Sequence, residues 1–172
     1  MIVWLNGAFG AGKTTVTREL RELLPDALVF DPEWIGASIR PTLGEAFPVA
    51  DFQDWPVWRE GVVSVLAALD RFASGRVIIA PQTVLVEQYW RELEAGIAGA
   101  GAELRAFTLD VAPGEHERRI AADEVEADAA EWRRSRASDF SAALPWLRTV
   151  SRVIDTTALA PREVAERIAA SL

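Results

Sequence analysis

The sequence predicts an α/β fold on a five-stranded parallel sheet, and three observations carry that prediction. Short apolar runs recur along the 172 residues. Amphipathic helical segments separate them, as crossover helices separate the strands of a parallel sheet. Between the first run and the first helix lies a glycine-rich loop, Gly7-Ala8-Phe9-Gly10-Ala11-Gly12-Lys13-Thr14.

Taken in order, residues 2–5 form a buried strand ending at Asn6-Gly7. Residues 13–24 form a helix with Val16, Leu20, Leu23 and Leu24 on one face, stopped by Pro25. Residues 27–30 form a second strand, closed by Asp31-Pro32, and residues 32–39 a short helix. Residues 44–56 are rich in turn formers. Residues 58–72 are helical, with Val62, Val65, Leu66 and Leu69 in a stripe. Residues 76–80 form a third strand, ended by Pro81. A helix over 86–98 frays into the Ala/Gly tract of 95–102. Residues 103–109 alternate as a fourth strand that buries Leu104, Phe107 and Leu109. A polar helical segment spans 113–136, and a short helix 140–147. Residues 150–154 form the fifth strand, and 161–172 the last helix, with Val164, Ile168 and Leu172 aligned.

Composition bounds the function. One domain over residues 1–172 is the expectation for this length. Half the residues are hydrophobic, enough to fill a core and to exclude a disordered chain. The absence of cysteine excludes disulfides, a thiolate nucleophile and a thiolate-held metal. A net charge of -8 disfavours general nucleic-acid binding. The N-terminus has no basic leader, and no run approaches the roughly 18 apolar residues of a membrane span, so a cytoplasmic protein is expected.

The loop fits G-x-x-x-x-G-K-[ST] without mismatch, between a strand and a helix as its chemistry requires. Glycines let consecutive backbone N–H groups converge on a polyphosphate, and the next helix points its positive end at the same place. ATP and Mg²⁺ are the expected cofactors. Gly7, Ala8, Phe9, Gly10, Ala11, Gly12, Lys13, Thr14 and Thr15 are the expected nucleotide contacts. Lys13 would reach the β- and γ-phosphates, and the Thr14 hydroxyl would meet the metal. Lys13 is the only lysine among 18 basic residues, which marks a place where a compact ammonium is needed.

Ligands gather beyond the carboxyl ends of parallel strands. Asp31 stands there as a catalytic and acceptor-side carboxylate, or as the cap of the helix opened by Pro32. Glu33 reads as first-turn charge. Gln82 and Thr83 are candidate substrate contacts or a simple turn, at a strand end where many P-loop proteins hold metal through aspartate. His116, within a charged segment, reads as part of a solvated helix face. Residues 115–136 carry Arg118, Arg119, Arg133, Arg134 and Arg136, and read as a lid over the transferred phosphate or as a salt-bridged surface helix. Arg119 and Arg136 are its nucleotide-contact candidates. Asp155-Thr156-Thr157 would pack near the adenine or cap the last helix. Trp34, Phe47, Phe52, Trp55 and Trp58 crowd the stretch that also holds Arg40, Gln53, Asp54 and Arg59. They wall an acceptor pocket over about 32–60 or fill the core. The substrate candidates are Asp31, Trp34, Arg40, Gln53, Trp55, Trp58, Arg59 and Gln82.

The run from Trp4 to Thr14 resembles the N-terminal signature of the tunicamycin-resistance ATP-binding proteins. Asp31-Pro32-Glu33 with Gly36 and Arg40 is similar to the next block. Asp51-Phe52-Gln53 with Pro56, Trp58 and Arg59 is similar to a third, and Pro81 with Thr83 to a fourth. The resemblance implies a P-loop NTPase of nucleotide/shikimate-kinase-like, three-layer fold. It also implies binding of ATP and of tunicamycin, a uridine-containing lipidated nucleoside. The chain stops at Leu172, short of the extension that attaches longer members to membranes, so no anchor is expected. Three functions remain open: phosphorylation of the drug, its sequestration without transfer, and metabolic small-molecule phosphorylation.

Overall fold

The computed structural model describes residues 1–122 and 135–172. Its sheet is five-stranded, in the order β2-β3-β1-β4-β5. The strands are β1 (Ile2–Gly7), β2 (Leu28–Val29), β3 (Ile78–Pro81), β4 (Leu104–Asp110) and β5 (Arg152–Asp155). Every pairing is parallel, and Trp4 at the centre faces Ala80 on one side and Ala106 on the other.

Alternation along β1 builds the layers. Val3 and Leu5 point to one face, where α1 (Lys13–Leu23), α6 (Ala137–Val150) and α7 (Pro161–Ala169) pack with Leu20, Leu147 and Ile168. Ile2 and Trp4 point to the other, against α3 (Pro56–Phe72) and α4 (Glu87–Gly99) through Trp58, Leu66, Trp90 and Leu93. Burial on both faces explains why β1 reads as an unbroken apolar run rather than an alternating one. The expected α/β class and three-layer P-loop arrangement are the observed ones.

Several boundaries differ from the sequence expectation, each for a local reason. β2 is an edge strand of two residues, extended by one further bond from Phe30 N–H to the Ile79 carbonyl at 3.0 Å. α2 (Glu33–Leu43) runs on through Pro41, whose missing N–H falls in an exposed last turn where water can take the freed carbonyl. α3 starts two residues early because Pro56 suits the first helical position. α6 likewise holds Pro145, and it absorbs Val150, so β5 begins only at Arg152. α5 (Pro113–Ala121) covers the first part of the expected polar helix. The carboxyl ends of β1, β2, β3 and β5 open on one edge, and the site lies there.

Candidate functional site

The site grows from the end of β1. Asn6, 1% exposed, ties that end to the chain leaving β3. Its amide donates to the Val84 carbonyl at 2.9 Å, while its oxygen accepts from the N–H groups of Val84 and Gly7. The Thr83 hydroxyl donates to the Gly7 carbonyl at 2.8 Å. Gly7 has φ +151°, and a Cβ there would stand 2.9 Å from the Leu109 carbonyl oxygen. Gly12 turns the loop into α1 at φ +94°. No side chain caps α1, and its first turn holds no acid, so the amino end is open to an anion.

Lys13 lies across the loop, its ammonium donating to the carbonyls of Gly7 and Ala8 at 3.1 and 3.0 Å. It also lies 5.4 Å from the centre of the Phe9 ring. A cavity of about 1260 Å³ opens above, lined by Gly10, Gly12, Lys13, Thr14 and Thr15. Gly7 and Ala8 sit behind it as the lysine's support. The loop geometry and the uncapped helix fit a polyphosphate, and Thr14 is exposed where a metal would be met.

One end of the cavity is closed by α5 and by the turn after β5. Arg119 braces three segments. It donates to the Thr156 carbonyl at 2.7 Å, to the Thr156 hydroxyl at 3.1 Å and to the Ala11 carbonyl at 3.4 Å. It also pairs with Glu115, which Arg118 shares. These two guanidiniums, Arg118 first, hold the Glu115 carboxyl down to about 2. His116 corrects the sequence expectation. It is 7% exposed rather than solvated, and its Nε2 lies 2.7 Å from the Phe9 carbonyl. A carbonyl only accepts, so Nε2 carries the proton and clamps the loop from outside. His116 and Ile120 are the buried residues of α5, one turn apart, while Glu117 and Arg118 between them face water.

The other end belongs to β2, β3 and the turn before α3. Asp31 lines the cavity, and its Oδ1 accepts from the Glu33 N–H at 2.9 Å. Glu33, read as helix-dipole charge, also lines it. Desolvation holds its carboxyl above the usual value, and Asp31 and Asp51 add to this while Lys13 opposes it. Phe52, Gln82 and Thr83 complete the wall.

The aromatic stretch divides between wall and core. Trp58 is fully buried, donates to the Pro32 carbonyl at 3.1 Å and packs against the Phe52 ring, centres 5.2 Å apart and planes tilted by 44°. Trp55 is 6% exposed and donates to the Phe47 carbonyl at 2.9 Å. Neither lines the cavity, so the expected pair of tryptophan walls is replaced by Phe52, which Trp58 supports from behind. Arg59 is also an inner brace. It pairs with Glu92, donates to the Gln53 carbonyl and lies 4.2 Å over the Tyr89 ring. Gln53 donates to the Thr83 carbonyl at 2.9 Å. Trp34 is 63% exposed, and Arg40 is exposed on α2 outside the cavity. Arg136 reaches Asp51 and Asp139, and lines a smaller cavity of about 200 Å³ on the far side of Phe9 and Thr83. Arg133 and Arg134 of the expected lid lie outside the described residues.

Sequence reasoning therefore brought Lys13, Thr14, Asp31, Phe52, Gln82, Thr83 and Arg119 to one cavity, gave Asn6 no role and placed His116 on a solvated face. Phe52 had a signal in its Asp-Phe-Gln block, and His116 in its spacing of four from Ile120.

Among the described residues, no helix is long and apolar enough to cross a membrane. The AAA-domain family matches residues 2–143. The structure of the Deinococcus radiodurans tunicamycin resistance protein superposes with a TM-score of 0.76 at 30% identity, covering 99% of this chain and 94% of that one. A Mycobacterium tuberculosis APS kinase, solved with AMPPNP and APS, gives 0.66 at 17% identity over 98% and 95%. An Acinetobacter baumannii shikimate kinase in complex with shikimate gives 0.64 at 22% over 98% and 90%. These two kinases show the fold alone. Comparison with curated proteins finds no match. On its phosphate loop, its strand order and this end-to-end likeness, the chain belongs to the AAA-domain P-loop family and, within it, to the tunicamycin-resistance ATP-binding proteins, on a kinase-like nucleotide-binding fold.

Proposed function

We propose that the protein binds ATP·Mg²⁺ and tunicamycin together and phosphorylates a hydroxyl of the drug. The observation that carries the reading is the shared cavity: Lys13 and Asp31 line one space of about 1260 Å³. Sites for a single small ligand run to about 300–1,000 Å³, so this space suits two.

ATP, when bound, would supply the γ-phosphoryl group and leave as ADP, with magnesium to offset part of the charge. The loop N–H groups and the open end of α1 hold the phosphates. Lys13 would leave its two carbonyls to meet them, and the Thr14 hydroxyl would hold the metal. Arg119 stands at the same cavity as a further cation. Asp31 takes the proton of the attacking hydroxyl.

A second reading has one observation in its favour. Asp31 Oδ1 already caps Glu33 N–H, which suits a structural carboxylate and a protein that sequesters the drug without transfer. Incubation of protein, ATP·Mg²⁺ and tunicamycin, followed by mass spectrometry of the drug, separates the two. Gain of one phosphoryl group supports transfer. Tight binding with no gain in mass supports sequestration. Transfer to another metabolite, without tunicamycin binding, would leave a metabolic kinase.

A further inference from the structure

We infer that Gln82 reads the acceptor, its side-chain oxygen taking a hydrogen bond from an uncharged O–H or N–H donor on the bound drug; the inference rests on the tunicamycin reading above. Gln82 follows β3, which lies between β2, ending two residues before Asp31, and β1, which leads into the phosphate loop. It lines the cavity, yet it is only 2% exposed. Its backbone is fully used: the N–H donates to the Leu5 carbonyl at 3.1 Å, and the carbonyl accepts from Trp4 Nε1 at 3.0 Å.

The carboxamide is only half used. Nε2 donates to the Thr83 carbonyl at 3.2 Å, and Oε1 has no partner among the described residues. The orientation is fixed by chemistry. A carbonyl only accepts, so turning the amide over would set two oxygens against each other. The side chain thus holds one unpartnered acceptor on a residue of the cavity wall, shut off from the empty cavity until the carboxamide turns toward a bound donor, and buried acceptors are ordinarily satisfied.

Two donors could serve it: a group on the acceptor, or a water held by the metal. Many P-loop proteins use aspartate for the second task, because its charge adds attraction to the cation. A neutral carboxamide adds none, and it suits a neutral donor instead. A site that spends a buried polar group in this way discriminates strongly against analogues that lack the matching donor. The acceptor therefore presents an O–H or N–H to Gln82 while its reacting hydroxyl faces Asp31.

Gln82→Met and Gln82→Leu keep the volume and remove the acceptor oxygen. Calorimetry with tunicamycin, at saturating non-hydrolysable ATP analogue and magnesium, reads the effect. Both variants should bind the drug roughly ten- to a hundred-fold more weakly. Nucleotide affinity and its magnesium dependence should stay unchanged. The melting temperature of the free protein should hold or rise, since an unpartnered buried oxygen is gone. Unchanged drug affinity, with the unaltered protein binding normally, overturns the inference and leaves the tunicamycin reading standing. Loss of magnesium-dependent nucleotide affinity assigns Gln82 to the metal's water shell and overturns it. A fall in melting temperature in both variants makes Gln82 a structural brace and overturns it too. An unaltered protein that binds no tunicamycin overturns both the reading beneath and this inference.

Discussion

The nucleotide end of the cavity is made largely from consecutive residues, whereas the acceptor end is assembled across the fold. Gly12, Lys13 and Thr14 are neighbours in sequence, and backbone groups do most of their work. At the acceptor end, Asp31 comes from just beyond β2, Phe52 from the turn before α3, and Gln82 and Thr83 from beyond β3. A second layer of long-range contacts holds them: Trp58 to Pro32, Gln53 to Thr83, Arg59 to Glu92. A local backbone cradle gives a general phosphate site. A wall of side chains from several elements can be changed one residue at a time, and specificity resides there.

The largest expected effect falls on chemistry at the acceptor end. Asp31→Asn keeps the cap to Glu33 and removes the proton acceptor. Turnover should drop about 10²–10⁴-fold, while ATP and drug affinities stay within a few-fold. Steady-state kinetics paired with calorimetry checks it. Full turnover in Asp31→Asn would make the carboxylate a cap only and erase the functional side of the comparison.

Next comes the layer behind the wall. Trp58→Ala empties a fully buried site behind Phe52 and should cost about 3–5 kcal/mol of stability. Denaturant titration measures the loss. Drug affinity at low temperature should fall more than nucleotide affinity, because Trp58 supports only the acceptor end. Equal losses for both ligands would contradict the division.

Lys13→Ala tests the opposite end. Hydrogen bonds to charged groups contribute about 1.5–3 kcal/mol, so nucleotide affinity should fall about ten- to a hundred-fold. Drug affinity measured without nucleotide should change little. An unaltered nucleotide titration would sink the phosphate-loop assignment.

The smallest effect is at Glu33. Desolvation and nearby carboxylates raise its folded-state pKa above the ordinary 4.5, so folding disfavours the ionised form. The stability of its neutral form is fully present below 4.5 and is lost as pH climbs through the higher folded value. Glu33→Gln should therefore raise the melting temperature at pH 7. The gain should shrink toward zero as pH falls below 4.5. A gain that is the same at pH 4 and pH 7 would show that charge is not its cause.

The same division explains what could be read from the sequence. The phosphate loop, the parallel sheet and the helix stripes depend on neighbours within a few residues, and they were legible from local pattern. Arg59 and Trp55 both read as acceptor-pocket residues because polar and aromatic types do not reveal where their partners lie. Glu92 is 33 positions from Arg59. His116 was hidden for a related reason. Its neighbours Glu115, Glu117 and Arg118 dominate the local charge, yet α5 buries only the face that carries His116 and Ile120. Pro145 lies inside the helix as expected, whereas α2 runs past its expected end at residue 39 and through Pro41, whose missing N–H falls in an exposed last turn.

The account stands on one cavity holding two ligands at once. Tunicamycin titrated into protein saturated with a non-hydrolysable ATP analogue and magnesium, followed by native mass spectrometry, tests that directly. A single species carrying one nucleotide and one drug molecule is the predicted result. Mutual exclusion, with each ligand displacing the other, would contradict it.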